Sequence, residues 1–143
     1  MAGDDDLDVD PDALARAEAA LAALSGDYLT WARADVSALE ASLSSLRQTD
    51  PARRPEVLAR SFAIAHDIKG QAATFGYPLL TRLGNAVCRL IDGGSAADAA
   101  QIGRLELLTA AMSEVVAGGL AGDGGERGRA LAALLDEGGN GGA

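Results

Sequence analysis

Large apolar residues recur along this chain at steps of three, four and seven, the spacing that gathers side chains on one face of an α-helix. Leu14, Leu21 and Leu24 form a first stripe over about Pro11 to Ser25, with Pro11 in the opening turn and Ser25-Gly26 as a stop. A second helix is predicted over about Asp27 to Gln48. Asp27 is a capping residue type, and Leu29, Val36, Leu39, Leu43 and Leu46 mark the apolar face. Pro51 and Pro55 separate it from a third, about Pro55 to Phe75. That helix ends at Gly76-Tyr77-Pro78, because glycine suits a left-handed cap and proline cannot continue the ladder. The fourth starts at Pro78, carries Leu79, Leu83, Val87, Leu90 and Ile91, and breaks at Gly93-Gly94. A fifth, about Ala96 to Ala117, presents Ile102, Leu105, Leu108, Met112 and Val115 and closes at Gly118-Gly119. Beyond the link Gly122 to Gly125, a short helix is expected around Arg127 to Leu135.

No stretch alternates with period two, so the fold class is all-α. The expected architecture is an antiparallel four-helix bundle with short loops, an additional N-terminal helix and a short C-terminal helix. Three regions follow: an acidic, disordered terminus over 1–10, the bundle over 11–120, and a glycine-rich link, short helix and tail over 121–143, with the tail mobile from Gly138. With 143 residues there is room for one compact domain. Much of the 48% hydrophobic content is alanine, which favours helix but fills a core poorly, so the larger side chains must mark the packed faces.

Charge narrows the function classes. Lys plus Arg total 12 against 21 Asp plus Glu, a formal charge of -9. Such a surface repels phosphate backbones and anionic lipid, so no nucleic-acid or membrane partner is expected. No apolar run reaches the roughly 18 residues of a membrane span, and the first residues are acidic where a secretory signal would be basic. The lone Cys88 cannot form an internal disulfide and reads as a small buried filler. A cytoplasmic protein is the expectation.

One histidine, His66, lies in the middle of the third helix. A lone histidine there is either packed into the bundle or presented to a partner. At about 100° per residue, Val57, Ile64, Ile68 and Phe75 project roughly 160–200° from it, so the apolar stripe points away from the imidazole. On its own side fall Ala59, Phe62, Ala63, Lys69, Gly70 and Ala73, most of them small. Gly70 weakens a helix interior by roughly 0.5–1 kcal/mol relative to alanine. Either it clears space above the ring or it lets another helix pack closely. A bare face with an imidazole and a cation one turn away suits close docking of another protein. Phe62 and Leu58, at its border, either rim such a dock or close onto the earlier helices; for Tyr28 and Trp31 core packing is expected.

The stretch His66-Asp67-Ile68-Lys69-Gly70-Gln71-Ala72, with Gly76 ten positions after the histidine, resembles the signature of histidine-containing phosphotransfer (HPt) domains. That signature reads His-x-aliphatic-Lys-Gly with a later glycine. The motif spans about Ser61 to Ile91, and the helical pattern is compatible with the family's bundle from about residue 12 to 120. The resemblance implies a phosphorelay intermediate in which His66 accepts a phosphoryl group from a receiver-domain aspartate and passes it to another receiver. Lys69 would stabilise phosphoryl oxygens, Gly70 would give steric access, Gly76 would terminate the helix, and Ala59, Phe62, Ala63 and Ala73 would meet the partner. In the family a polar side chain of the next helix, often glutamine, orients the histidine. Here Asn85 or Arg89 would substitute.

The implied partners are receiver domains of response regulators or a hybrid histidine kinase, met by a monomeric carrier. No phosphate-binding glycine loop and no metal-ligand cluster is present in the sequence, so no cofactor and no kinase activity are expected of this chain. Mg2+ would belong to the partner receiver. Two alternatives remain open at this stage. One is the dimerisation and phosphoacceptor region of a sensor histidine kinase, although such a box usually continues toward proline where Gly70 stands. The other is a non-catalytic helical adaptor with an incidental histidine.

Overall fold

A computed structural model of the chain describes residues 10–93 and 98–141, with side chains followed as far as Asp136. Asp10 opens the first helix. Its carboxylate accepts from the Asp12 N–H at 3.3 Å, and Pro11, which has no N–H to satisfy, takes the first turn. The helix, α1, then runs without a break over Pro11–Ser44 and tightens into a 3-10 turn over Ser45–Gln48.

Two expectations are corrected here. Ser25-Gly26 does not stop the chain, so there is no separate N-terminal helix and Asp27 caps nothing. Glycine lowers helix propensity but ends a helix only when it takes the left-handed conformation, and Gly26 is not among the positive-φ glycines. The alanine-rich flanks carry the ladder through it, and Thr30 Oγ1 donates to the Gly26 carbonyl at 3.1 Å. Leu14, Leu21 and Leu24, expected to pack, are 48%, 64% and 51% exposed, and Trp31 is also on the surface. Only from Tyr28 onward, through Ala32, Val36, Leu39 and Leu43, does α1 bury a face. Helix propensity carries the first four turns, whose side chains are mostly exposed.

A short 3-10 segment, Pro51–Arg53, leads into α2, Arg54–Thr74. Gly76, at φ 82°, is the left-handed residue that ends it, and the Tyr77 N–H reaches back to the Ala72 carbonyl at 2.9 Å. After α3, Pro78–Asp92, comes α4, Ala99–Gly118, whose N-cap Asp98 accepts from the Gln101 N–H at 2.8 Å. Gly94 and Ala96, where a break and a helix start were expected, lie outside the described residues, as do residues 1–9 and the last two of the expected tail. The final helix, α5, covers Gly125–Gly141 and so extends past the expected Arg127 to Leu135.

α1 packs on α2 and α4, and α3 packs on α2 and α4, so four consecutive helices close one bundle within one chain. The cross-links run antiparallel. Ser42 and Ser61 hydroxyls meet at 2.8 Å while the Tyr28 and Phe75 rings stack at 4.5 Å. The predicted stripe of α4 is buried throughout, and Leu80, Leu83 and Val87 of α3 face it across the core. α5 lies outside, against α3 and α4, with Leu131 buried.

Candidate functional site

The α2 register decides what the protein can do. Ser61, Ala65, Ile68 and Ala72 turn inward, so the residues half a turn away must face solvent. His66 is exposed, as are Ala59, Ala63, Gly70 and Ala73 around it. The imidazole leans on one neighbour, Phe62, with ring centroids 6.1 Å apart and planes at 21°. Phe62 and Leu58 are half-buried rims of this face. Among the described residues no hydrogen bond occupies either ring nitrogen of His66. A buried structural histidine would be sealed and bonded, and this one is neither.

Gly70 stands on the same face, and a Cβ added to it meets no atom within 4 Å. Close packing against another helix of the bundle is therefore not its reason. The space beside it, one turn from the imidazole, is open. Gly76 terminates α2 as anticipated, so the histidine sits well inside a helix that is anchored at its end.

Lys69 turns toward α3. Its Nζ donates to Asn85 Oδ1 at 3.0 Å, and the residue is half-buried. Asn85 is thus engaged with the lysine, and Arg89 is exposed. Among the described residues neither makes a hydrogen bond to His66, so the expected histidine-orienting contact from α3 is absent here. The Phe62 ring is the aromatic neighbour of the imidazole. Cys88 is buried, with its Sγ 4.0 Å from the Phe62 carbonyl, as a filler between α2 and α3. Burial pushes its thiol up, against a smaller opposing effect of the Lys69 ammonium, and so favours the protonated form.

Two residues that the sequence reading passed over shape this corner. Gly84 is buried, and a Cβ there would lie 3.1 Å from Lys69 Cβ and 3.4 Å from the Ala65 carbonyl oxygen. Thr81 Oγ1 donates to the Lys69 carbonyl at 3.3 Å. The signal for Gly84 was available, because an interior helix glycine needs a reason there as much as at Gly70. Which helix it would meet was not.

The two flanks of His66 differ in charge. Toward α1 lie Asp67 and Asp35; the Asp35 carboxyl is held above the usual carboxylate range by burial first and by the Asp67 charge second. Toward α3 lie Lys69 and the exposed face carrying Arg82 and Arg89, one turn either side of Asn85. Among the described residues no three His, Cys, Asp or Glu side chains come together to hold a metal ion, and no helix is long and apolar enough to cross a membrane.

Residues 23–118, more than half of the chain, match the family model described as Hpt domain. The match begins within α1, close to where that helix joins the core. Searches of curated proteins and of solved structures returned no match.

Proposed function

Since this chain belongs to the Hpt domain family, whose members serve phosphotransfer in phosphorelay signalling, we propose that it is a phosphocarrier between receiver domains, with His66 as the phosphoacceptor. The carrying observation is the exposed imidazole on α2, its nitrogens unclaimed, with open space over Gly70 and a lysine one turn on.

In the transfer, a ring nitrogen attacks the phosphorus of an aspartyl phosphate on the partner. An N–P bond forms as the P–O bond to the aspartate breaks, the bonding pair leaves with the carboxylate, and the imidazole gives its N–H proton to water. Onward transfer reverses this on a second receiver: an aspartate oxygen attacks phosphorus and the imidazole leaves, regaining a proton. Lys69, whose Cβ lies roughly 5–6 Å from that of the histidine by i,i+3 helix geometry, offers its ammonium to the phosphoryl oxygens. Ala59, Ala63 and Ala73 leave the partner a flat approach, and Phe62 gives it an apolar edge. Mg2+ would belong to the receiver's acidic pocket. We place the carrier in the cytoplasm, as a monomer.

The single-chain bundle supports a carrier over the phosphoacceptor region of a sensor kinase, which completes its four-helix core from two chains. Incubation with a phosphorylated receiver domain tests the proposal. The wild type should take up acid-labile, base-stable phosphate and His66→Gln should take up none with its fold intact. Equal uptake by the variant removes His66 as the site, and no uptake by the wild type leaves the non-catalytic adaptor.

A further inference from the structure

A surface lysine ordinarily swings over a wide arc, because four rotatable bonds carry a compact ammonium. Lys69 does not have that freedom. Three neighbouring residues of α3 each hold a different part of it. Thr81 Oγ1 bonds its carbonyl at 3.3 Å, bare Gly84 lets α3 close on its Cβ, and Asn85 Oδ1 receives its Nζ at 3.0 Å. We infer that Asn85 is a positioning residue for phosphotransfer, holding the Lys69 ammonium at the α3 edge of the histidine while its remaining N–H groups meet the phosphoryl group.

The chemistry of the partner makes this more than a structural bond. An amide oxygen is neutral, so it confines the ammonium without neutralising it. A phosphoryl group bears formal charge and forms shorter, stronger charge-assisted hydrogen bonds with a cation. The ammonium carries three N–H donors, so one stays on Asn85 Oδ1 while the others meet the phosphoryl oxygens, whereas a carboxylate in its place would hold the lysine as an ion pair. The approach of α3 at Gly84 fixes the stem and Asn85 fixes the tip, so little motion is frozen at the moment of transfer. This role rests on the carrier reading, but it differs from orienting the imidazole, which Asn85 does not touch.

The experiment is a double-mutant cycle on Asn85→Ala and Lys69→Ala in the full chain, with transfer from a phosphorylated receiver domain measured as kcat and KM and folding checked by thermal unfolding. Losing one positioning hydrogen bond should lower kcat about 3- to 10-fold with KM unchanged, and in the Lys69→Ala background Asn85→Ala should have no further effect. Asn85→Asp, which pins the ammonium and adds negative charge, should fall below Asn85→Ala. Equal losses in both backgrounds would mean that Asn85 acts on the bundle or the docking surface and would overturn the inference, as would a wild-type rate for Asn85→Ala. If the wild type itself takes up no phosphate, the carrier reading fails and takes this role with it; uptake with additive losses refutes this role alone.

Discussion

Gly70 sets stability against access, and the two can be separated by substitution. It lies in the interior of α2, outside the left-handed region, and an added Cβ would touch nothing within 4 Å. Alanine therefore fits without strain and removes the backbone freedom that glycine keeps in the unfolded chain. Gly70→Ala should raise stability by about 0.5–1 kcal/mol, a rise in Tm of about 2–5 °C for a chain of this size. Gly70→Leu fits the fold equally well, since the side chain points to solvent, but it stands over the imidazole one turn away. Phosphoryl transfer needs reacting atoms about 3–3.5 Å apart, and displacing a partner by about 1 Å can cost on the order of 10²-fold in rate. Thermal and urea unfolding give the first quantity, and rapid-quench transfer from a phosphorylated receiver gives the second. The expected result is an inverse pair, with both variants at least as stable as the wild type and Gly70→Leu slower by that order. A Gly70→Ala protein that melts early would show that the space is filled. Undiminished transfer by Gly70→Leu would show that the glycine has nothing to do with access.

Tyr28 is buried against Phe75 and Tyr77, and among the described residues its hydroxyl has no hydrogen-bond partner. Tyr28→Phe removes that unsatisfied group and should stabilise the protein by up to about 1 kcal/mol in urea unfolding; a loss of similar size would mean the hydroxyl is satisfied in solution. Burial, with smaller contributions from Tyr77 and Asp35, pushes the phenol up to about 12 from its ordinary 10.0. The folded state thus favours the protonated phenol, so this group leaves stability unchanged below pH 10 and lowers it as pH rises toward 12. The Tyr28→Phe protein should lack that part of the alkaline loss when unfolding free energies are compared across this range. At the other side of the bundle, a Cβ on buried Gly128 would overlap the Asp123 carbonyl, so Gly128→Ala should displace the start of α5 at a cost of about 1–3 kcal/mol. Hydrogen exchange would register this as lost protection around Leu131, and unchanged protection would rule the clash out.

The helices from Pro55 onward were legible because their punctuation is local. Gly76-Tyr77-Pro78 ends α2, and Ile102, Leu105, Leu108, Met112 and Val115 mark a face of α4 that is indeed buried. The bare outer face of α2 was legible as well, since helical projection alone sets His66 opposite Ile64 and Ile68. At the N-terminus the same reasoning gave the wrong result. Leu14, Leu21 and Leu24 have helical spacing, but spacing says only that they share a face, and that face is largely exposed. Gly26 looked like a stop because residue type does not reveal φ.

On its own, then, the chain determined that it would be helical, where most helices end, and that one imidazole would stand clear of the apolar stripe. These depend on residues within a few turns of each other, whose geometry the backbone ladder dictates. Only tertiary structure decided that α1 is a single helix packed over its later part, that Phe62 supports the histidine, and that Asn85 serves Lys69 while Gly84 lets α3 close upon it. Those contacts join residues on different helices, and their partners are chosen by how two surfaces fit, which no periodicity within either helix encodes.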